Sequence, residues 1–125
     1  MAFWIERVAA VAALGCLSGQ AALAGDAGAG KAVFTSSCSI CHSVQPGQNK
    51  IGPTLFGVVG RKTGSVAGYS YSPGNQAANL TWDEPTLDKY LESPRAMVPG
   101  TKMTYAGVKD ATKRADLIAY LATVK

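Results

Sequence analysis

The chain has 125 residues, 47% of them hydrophobic and 16% charged, with a formal net charge of +4. That length holds one small domain with a thin core, which usually needs a disulfide, a metal or a large apolar cofactor to be stable. Three cysteines (Cys16, Cys38, Cys41) do not make a disulfide framework. Lys and Arg are spread along the chain, with no basic run or helix of the kind that binds nucleic acid.

Residues 1–24 read as a cleaved secretory signal. Glu6 cancels Arg7 in a weak n-region, Val8 to Leu17 is apolar and Ala-rich, and Ala22-Leu23-Ala24 is an A-x-A site. The apolar run is about half the roughly 20 residues that a membrane-spanning helix needs, so no stable membrane insertion is expected. Cys16 hints at a lipoprotein signal, but Ala13 stands where such signals usually carry Leu. Export, most simply to a bacterial periplasm, follows. Residues 25–125 show no repeat, low-complexity tract or domain boundary and are expected to form one domain.

Gly25 to Gly30 reads as a flexible lead, followed by a helical pattern over Lys31 to Ser37 in which Gly30, Val33 and Phe34 share a face. Ser43 to Leu80 is rich in Gly, Pro, Ser and Asn and reads as loops and turns. A second helix is expected from about Asp83 to Ser93, with Asp83 as N-cap, Pro85 in the first turn and Pro94 as the stop. Leu87, Tyr90 and Leu91 form its buried stripe. Val98 to Val108 is loop. A third helix spans about Asp110 to Thr123, with Leu117, Tyr120, Leu121 and Val124 at i, i+3, i+4 and i+7. No segment alternates as a strand does. The fold class is therefore all-α, with three main helices and an unusual share of loop. So long a loop argues against a compact domain unless it wraps something large and apolar.

Cys38-Ser39-Ile40-Cys41-His42 supplies that object. Two thiols at this spacing span the vinyl groups of a haem, and the following imidazole is placed to reach its iron from one side. A thioredoxin-like dithiol would expect a preceding strand and a βαβ setting, which are missing. A zinc site would need further Cys or His, whereas residues 25–125 hold two Cys and the sole His of the sequence. The motif points to one covalent haem c. The iron then needs a sixth ligand or keeps an open site. With no second His the candidates are Met97 and Met103, and Met103 lies in a turn-rich loop, Pro99-Gly100-Thr101-Lys102-Met103, although a Met also serves as core filler.

Blocks in order along residues 30–123 resemble the class I cytochromes c, the soluble electron carriers of mitochondria and bacterial periplasms. They are C-S-I-C-H, I-G-P-T-L-F-G-V-V-G-R-K-T-G (51–64), Y-S-Y (69–71), N-L-T-W (79–82), Y-L-E-S-P (90–94), P-G-T-K-M-T-Y-A-G (99–107) and D-L-I-A-Y-L (116–121). The resemblance implies the cytochrome c fold, its loops wrapped around one haem held by thioethers to Cys38 and Cys41. It implies His42 and Met103 as axial ligands, and Pro53 as the carbonyl that holds the second ring nitrogen of His42. It implies Arg61, Tyr71 and Trp82 as donors to the inner haem propionate, although spacing alone would leave these a surface Arg and two core aromatics. Asn75, Tyr90 and Thr101 match a polar network near the Met sulfur. Gly30, Phe34, Leu117 and Tyr120 match the crossing of the first and last helices.

The implied activity is outer-sphere electron transfer between membrane or periplasmic redox complexes by a monomeric carrier, not an enzyme. Partners would dock at a basic haem-edge patch of Lys50, Arg95, Lys102 and Lys109. Ser37 and Asp110 stand where mitochondrial members usually carry Lys, which suggests a bacterial partner set. Two rivals stand beside this reading. One is a peroxidase-like or gas-binding haem protein with a labile sixth ligand. The other is a non-haem module using Cys38 and Cys41 as a dithiol.

Overall fold

Helix α1 (Ala27–Ser37) starts where Asp26 can cap it. The Asp26 carboxylate accepts from the backbone N–H groups of Gly28 and Ala29 at 2.8 and 3.1 Å. In the computed structural model, which describes residues 25–125, most of the expected flexible lead is thus the first turn of α1. Glycine-rich sequence is a poor helix former. Here packing overrides propensity, because Asp116 in the last helix accepts from the Asp26 N–H at 2.8 Å and ties the start of α1 down. The secretory signal expected over residues 1–24 lies outside the described residues, as does Cys16.

The long loop is interrupted by α2 (Pro73–Ala78), then α3 (Glu84–Glu92), α4 (Pro94–Met97) and α5 (Ala111–Thr123) follow. Asp83 caps α3 by accepting from Thr86 N–H at 2.8 Å, and Leu87, Tyr90 and Leu91 are its buried residues. Pro94 ends α3 and also opens α4, since a proline at the first helical position gives up a donor that has no partner there. Asp110 caps α5. The stripe that α5 buries is Arg114, Leu117, Ile118 and Leu121. It is rotated from the expected one, so that Tyr120 and Val124 are only half-buried and Ile118 takes their place.

Among the described residues there is no strand, only an isolated bridge between Lys62 and Thr81. Nor is there a helix long and apolar enough to cross a membrane.

α1 crosses α5, and α3 packs against both α5 and α4. At the first crossing Gly30 is buried, and a Cβ there would overlap the Asp116 carbonyl. Phe34 meets Tyr120 with ring centroids 5.7 Å apart. α5 is tied to α3 by Arg114, whose Nε donates to Asp88 Oδ1 at 2.9 Å. Its Nη1 donates to the carbonyls of Val108 and Lys109 at 3.0 and 3.1 Å. The loop before α2 folds back on the chain through Gly57 N–H to Val124 O and Gly60 N–H to Trp82 O, both 2.8 Å. Helices and loops together form a shell.

Replacing Gly30 with Val should force α1 and α5 apart and cost about 3 kcal/mol of overpacking strain. Chemical denaturation should show that loss, while Ala29→Val on the exposed face of the same helix changes stability by well under half as much.

Candidate functional site

Inside the shell lies a cavity of about 460 Å³. Its walls come from distant parts of the chain: the end of α1 and the turn after it, the loop over residues 51–72, α2, α3, the 101–106 segment and α5. Leu55, Val58, Leu87, Leu91, Leu117 and Leu121 make them largely apolar. Every residue singled out for the site lines this one cavity: Cys38, Cys41, His42, Pro53, Arg61, Tyr71, Asn75, Trp82, Tyr90, Thr101 and Met103. Met97 does not. It packs against the hydrophobic core instead.

The turn after α1 presents the motif. His42 N–H and Cys41 N–H both bond to the Cys38 carbonyl, at 2.9 and 3.1 Å, so the two thiols and the imidazole stand on one compact turn. The His42 ring is fixed by its Nδ1, which donates to the Pro53 carbonyl at 2.7 Å. A carbonyl can only accept, so the proton is on Nδ1 and Nε2 keeps its lone pair. Gly52 lets this happen, because a Cβ there would run into the His42 ring. Burial holds the His42 pKa below its ordinary value, the Pro53 bond opposes this, and the Arg61 and Lys50 charges add to it. The imidazole is therefore neutral at neutral pH, as a metal ligand must be.

Met103 is delivered by the loop after α4. Tyr90 Oη donates to its sulfur at 3.2 Å, and its own N–H donates to Thr101 Oγ1 at 3.2 Å. Tyr90 also packs on Trp82 with ring centroids 4.6 Å apart. Two of the three residues expected near the sulfur, Tyr90 and Thr101, thus each bond Met103. The third, Asn75, lines the same cavity, but its Oδ1 is buried with no partner.

Arg61 is the second group left short. Nη1 donates to Phe56 O at 3.0 Å, yet Nε is buried without a partner. Tyr71 Oη accepts from Val66 N–H at 3.0 Å and faces the same space. Orphaned buried polar atoms are rare because each costs about 1–3 kcal/mol. An apolar cavity with a guanidinium N–H left unpartnered suits an apolar group that carries a carboxylate. Two thiols and a neutral imidazole on one turn add the attachment chemistry of haem c. The donor set fits that cofactor.

It does not suit the other uses of the motif. Burial, with Cys41 beside it, pushes the Cys38 thiol up to about 11, opposite to what a reactive dithiol needs. Among the described residues no three His, Cys, Asp or Glu side chains gather as metal ligands, so a zinc site has no ligand set.

Ser72 is a site residue that the sequence reading missed. It is buried, lines the cavity and caps α2 by accepting from Asn75 N–H at 3.1 Å, which orients the Asn75 side chain's segment. The Ser72-Pro73 pair is a helix-start signal, hidden here among the other turn-formers of residues 43–80.

Residues 27–125 match the family model described as cytochrome c. Cytochrome c of Euglena viridis is 50% identical over 101 residues, covering 81% of this chain and 99% of the relative. Cytochrome c2 of Rhodomicrobium vannielii is 49% identical over 118 residues, 94% of each chain. Among solved structures, cytochrome cH from Methylobacterium extorquens superposes with a TM-score of 0.75 at 45% identity, covering 79% of this chain and 99% of its own.

Tyr90→Phe should remove the O–H···S bond to Met103 and cost about 1 kcal/mol in thermal or denaturant unfolding of the haem-loaded protein, with the fold retained. Loss of the cofactor is far more severe. Without it the leucine-lined walls of a cavity of about 460 Å³ would lose their packing partner and meet water. A Cys38→Ser/Cys41→Ser chain made without haem should therefore lose its cooperative unfolding transition, read by far-UV circular dichroism.

Proposed function

The chain belongs to the cytochrome c family, and on that premise we propose that His42 and Met103 bind the iron of its haem from two different loops. The protein is an electron carrier with haem c attached through Cys38 and Cys41. Bound haem would supply one-electron redox chemistry, and with His42 and Met103 both holding its iron no site would be left for substrate.

The residues of this chain do the rest. His42, oriented through Pro53, offers Nε2 as a strong neutral donor. Met103 offers a soft neutral sulfur, which favours the reduced metal and raises the potential. Tyr90 and Thr101 hold that sulfur in place. Arg61, Tyr71 and Trp82 receive a carboxylate of the cofactor, and Asn75 faces the same buried space. The leucines of α3 and α5 keep water out. Rigid ligation of this kind lets charge change without bonds being made or broken. The observation that carries the reading is the convergence of one turn bearing two thiols and a neutral imidazole with a hydrogen-bonded methionine on a single cavity.

The carrier works as a monomer, exported by the signal pattern over residues 1–24 and retained in a bacterial periplasm. There it docks redox proteins at a basic patch of Lys50, Arg95, Lys102 and Lys109. Three of these cations are tethered to backbone carbonyls: Lys50 Nζ to Ser39 at 2.6 Å, Lys102 Nζ to Ser70 at 2.9 Å, and Lys109 Nζ to Glu92. A tethered ammonium is presented at a fixed place, which lowers the entropy lost on docking.

Two measurements test this. Met103→Ala should abolish the sulfur-to-iron charge-transfer band of the ferric protein and let added cyanide bind rapidly, whereas Met97→Ala should do neither. The rate with an oxidase whose docking face is acidic should fall steeply as salt rises, by about tenfold or more between low and physiological ionic strength. A flat salt profile would remove the basic patch from the docking step.

A further inference from the structure

The segment that carries Met103 is held at its ends and not along its length. Among the described residues, Thr104 to Gly107 make no hydrogen bond through backbone or side chain. At the start, Lys102 Nζ donates to Ser70 O at 2.9 Å and Met103 N–H donates to Thr101 Oγ1 at 3.2 Å. At the end, Val108 N–H donates to Leu91 O of α3 at 2.7 Å. There the carbonyls of Val108 and Lys109 both accept from Nη1 of Arg114 on α5, at 3.0 and 3.1 Å. One guanidinium nitrogen thus grips two successive peptide groups, just past Ala106, where the segment leaves the cavity wall.

Arg114 is only 7% exposed. A cation so buried needs a counter-charge as well as acceptors. Asp88 Oδ1, 2.9 Å from Nε, supplies it, and this is the one ion pair among the described residues. Asp88 stands two residues before Tyr90 on α3, and Tyr90 Oη donates to the Met103 sulfur at 3.2 Å. Two residues turn a helix by about 200°, so the two side chains leave α3 on opposite sides. Tyr90 reaches the sulfur. Asp88 does not line the cavity and reaches the segment only through Arg114.

We propose that Asp88 is a positioning residue for the Met103 ligand: acting through Arg114, it sets how readily the sulfur is displaced. This rests on the reading of Met103 as an axial ligand. Without the Asp88 charge, Arg114 is a buried cation short of a partner, and turning toward water draws Nη1 off the two carbonyls. The Val108 end then slackens. Nothing between Gly107 and Thr104 is bonded to take up the slack, so it reaches Met103.

The test uses the haem-loaded ferric protein with cyanide as probe, since an incoming ligand must wait for the sulfur to leave. Asp88 is half-exposed, so Asn fits its place with the fold retained. Asp88→Asn should bind cyanide about tenfold faster than the parent. Its Val108 N–H should exchange with deuterium faster by a similar factor, while Gly57 N–H, bonded to Val124 O, exchanges at the parent rate. Asp88→Glu should restore both. Asp83→Ala removes an equal charge from α3 together with its cap, and should lower thermal stability yet leave the cyanide rate unchanged. A parent cyanide rate in Asp88→Asn overturns the proposal. So does an equal acceleration in Asp83→Ala, which would reduce the effect to lost stability or charge. If Met103→Ala keeps the charge-transfer band and the slow cyanide binding of the parent, the axial-ligand reading falls and takes Asp88 with it. If Met103→Ala loses both and Asp88→Asn still behaves as the parent does, the ligand reading stands and only the role of Asp88 is lost.

Discussion

The molecule folds around a volume that its own side chains do not fill. A small domain is stable by only about 5–15 kcal/mol, so whether the apolar walls of the cavity are packed against or left to water decides whether it folds. Core and functional site are therefore the same object. Leu87, Leu91, Leu117 and Leu121 are core residues by burial and cofactor contacts by position. What stands apart is the clamp of α1 on α5, where Gly30 and the Phe34–Tyr120 contact close the shell without touching the cavity. The clamp sets the frame, and the loops that hang from it are ordered by what they enclose.

Because the loops have little helix of their own, they are held by specific polar bonds. The His42 turn is fixed by Pro53 and by the Gly52–Cys41 bond. The Met103 segment is fixed at its start by Lys102 on Ser70 and at its end by Arg114 on Val108 and Lys109. Arg114 is buried, and its partner Asp88 sits on α3, so the end of the Met103 segment is tied to two helices at once. A buried cation tolerates this position because each of its bonds is to a carbonyl or carboxylate.

Local signals were legible, and convergence was not. Asp83, Pro85 and Pro94 bounded α3, and C-x-x-C-H named the cofactor, because capping and attachment chemistry act over a few residues. The short α2 and α4 escaped notice, since a single turn or so shows no periodicity. The start of α1 escaped because Asp116, far along the chain, holds it. Spacing made Arg61, Tyr71 and Trp82 an unremarkable surface cation and two aromatics. Only the resemblance joined them to one site, and the structure brings them to one cavity. The rotation of α5 toward Ile118 had no local signal, because Tyr120 and Ile118 are both apolar enough for the buried face.

The protonation states around the cavity share a direction. Burial holds His42 neutral by pushing its pKa down. Burial keeps Tyr90 protonated by pushing its pKa up, against the bond to Thr101. Tyr69 near the rim is raised as well, by burial and then by Tyr71 and Cys41. These directions leave His42 neutral and both tyrosines protonated at neutral pH. Arg61, although burial lowers its pKa, remains a cation because guanidinium starts so high. Arg61 is thus the one fixed charge among these groups, set in the wall of a cavity whose other named polar groups are neutral, where a charge acts more strongly than in water.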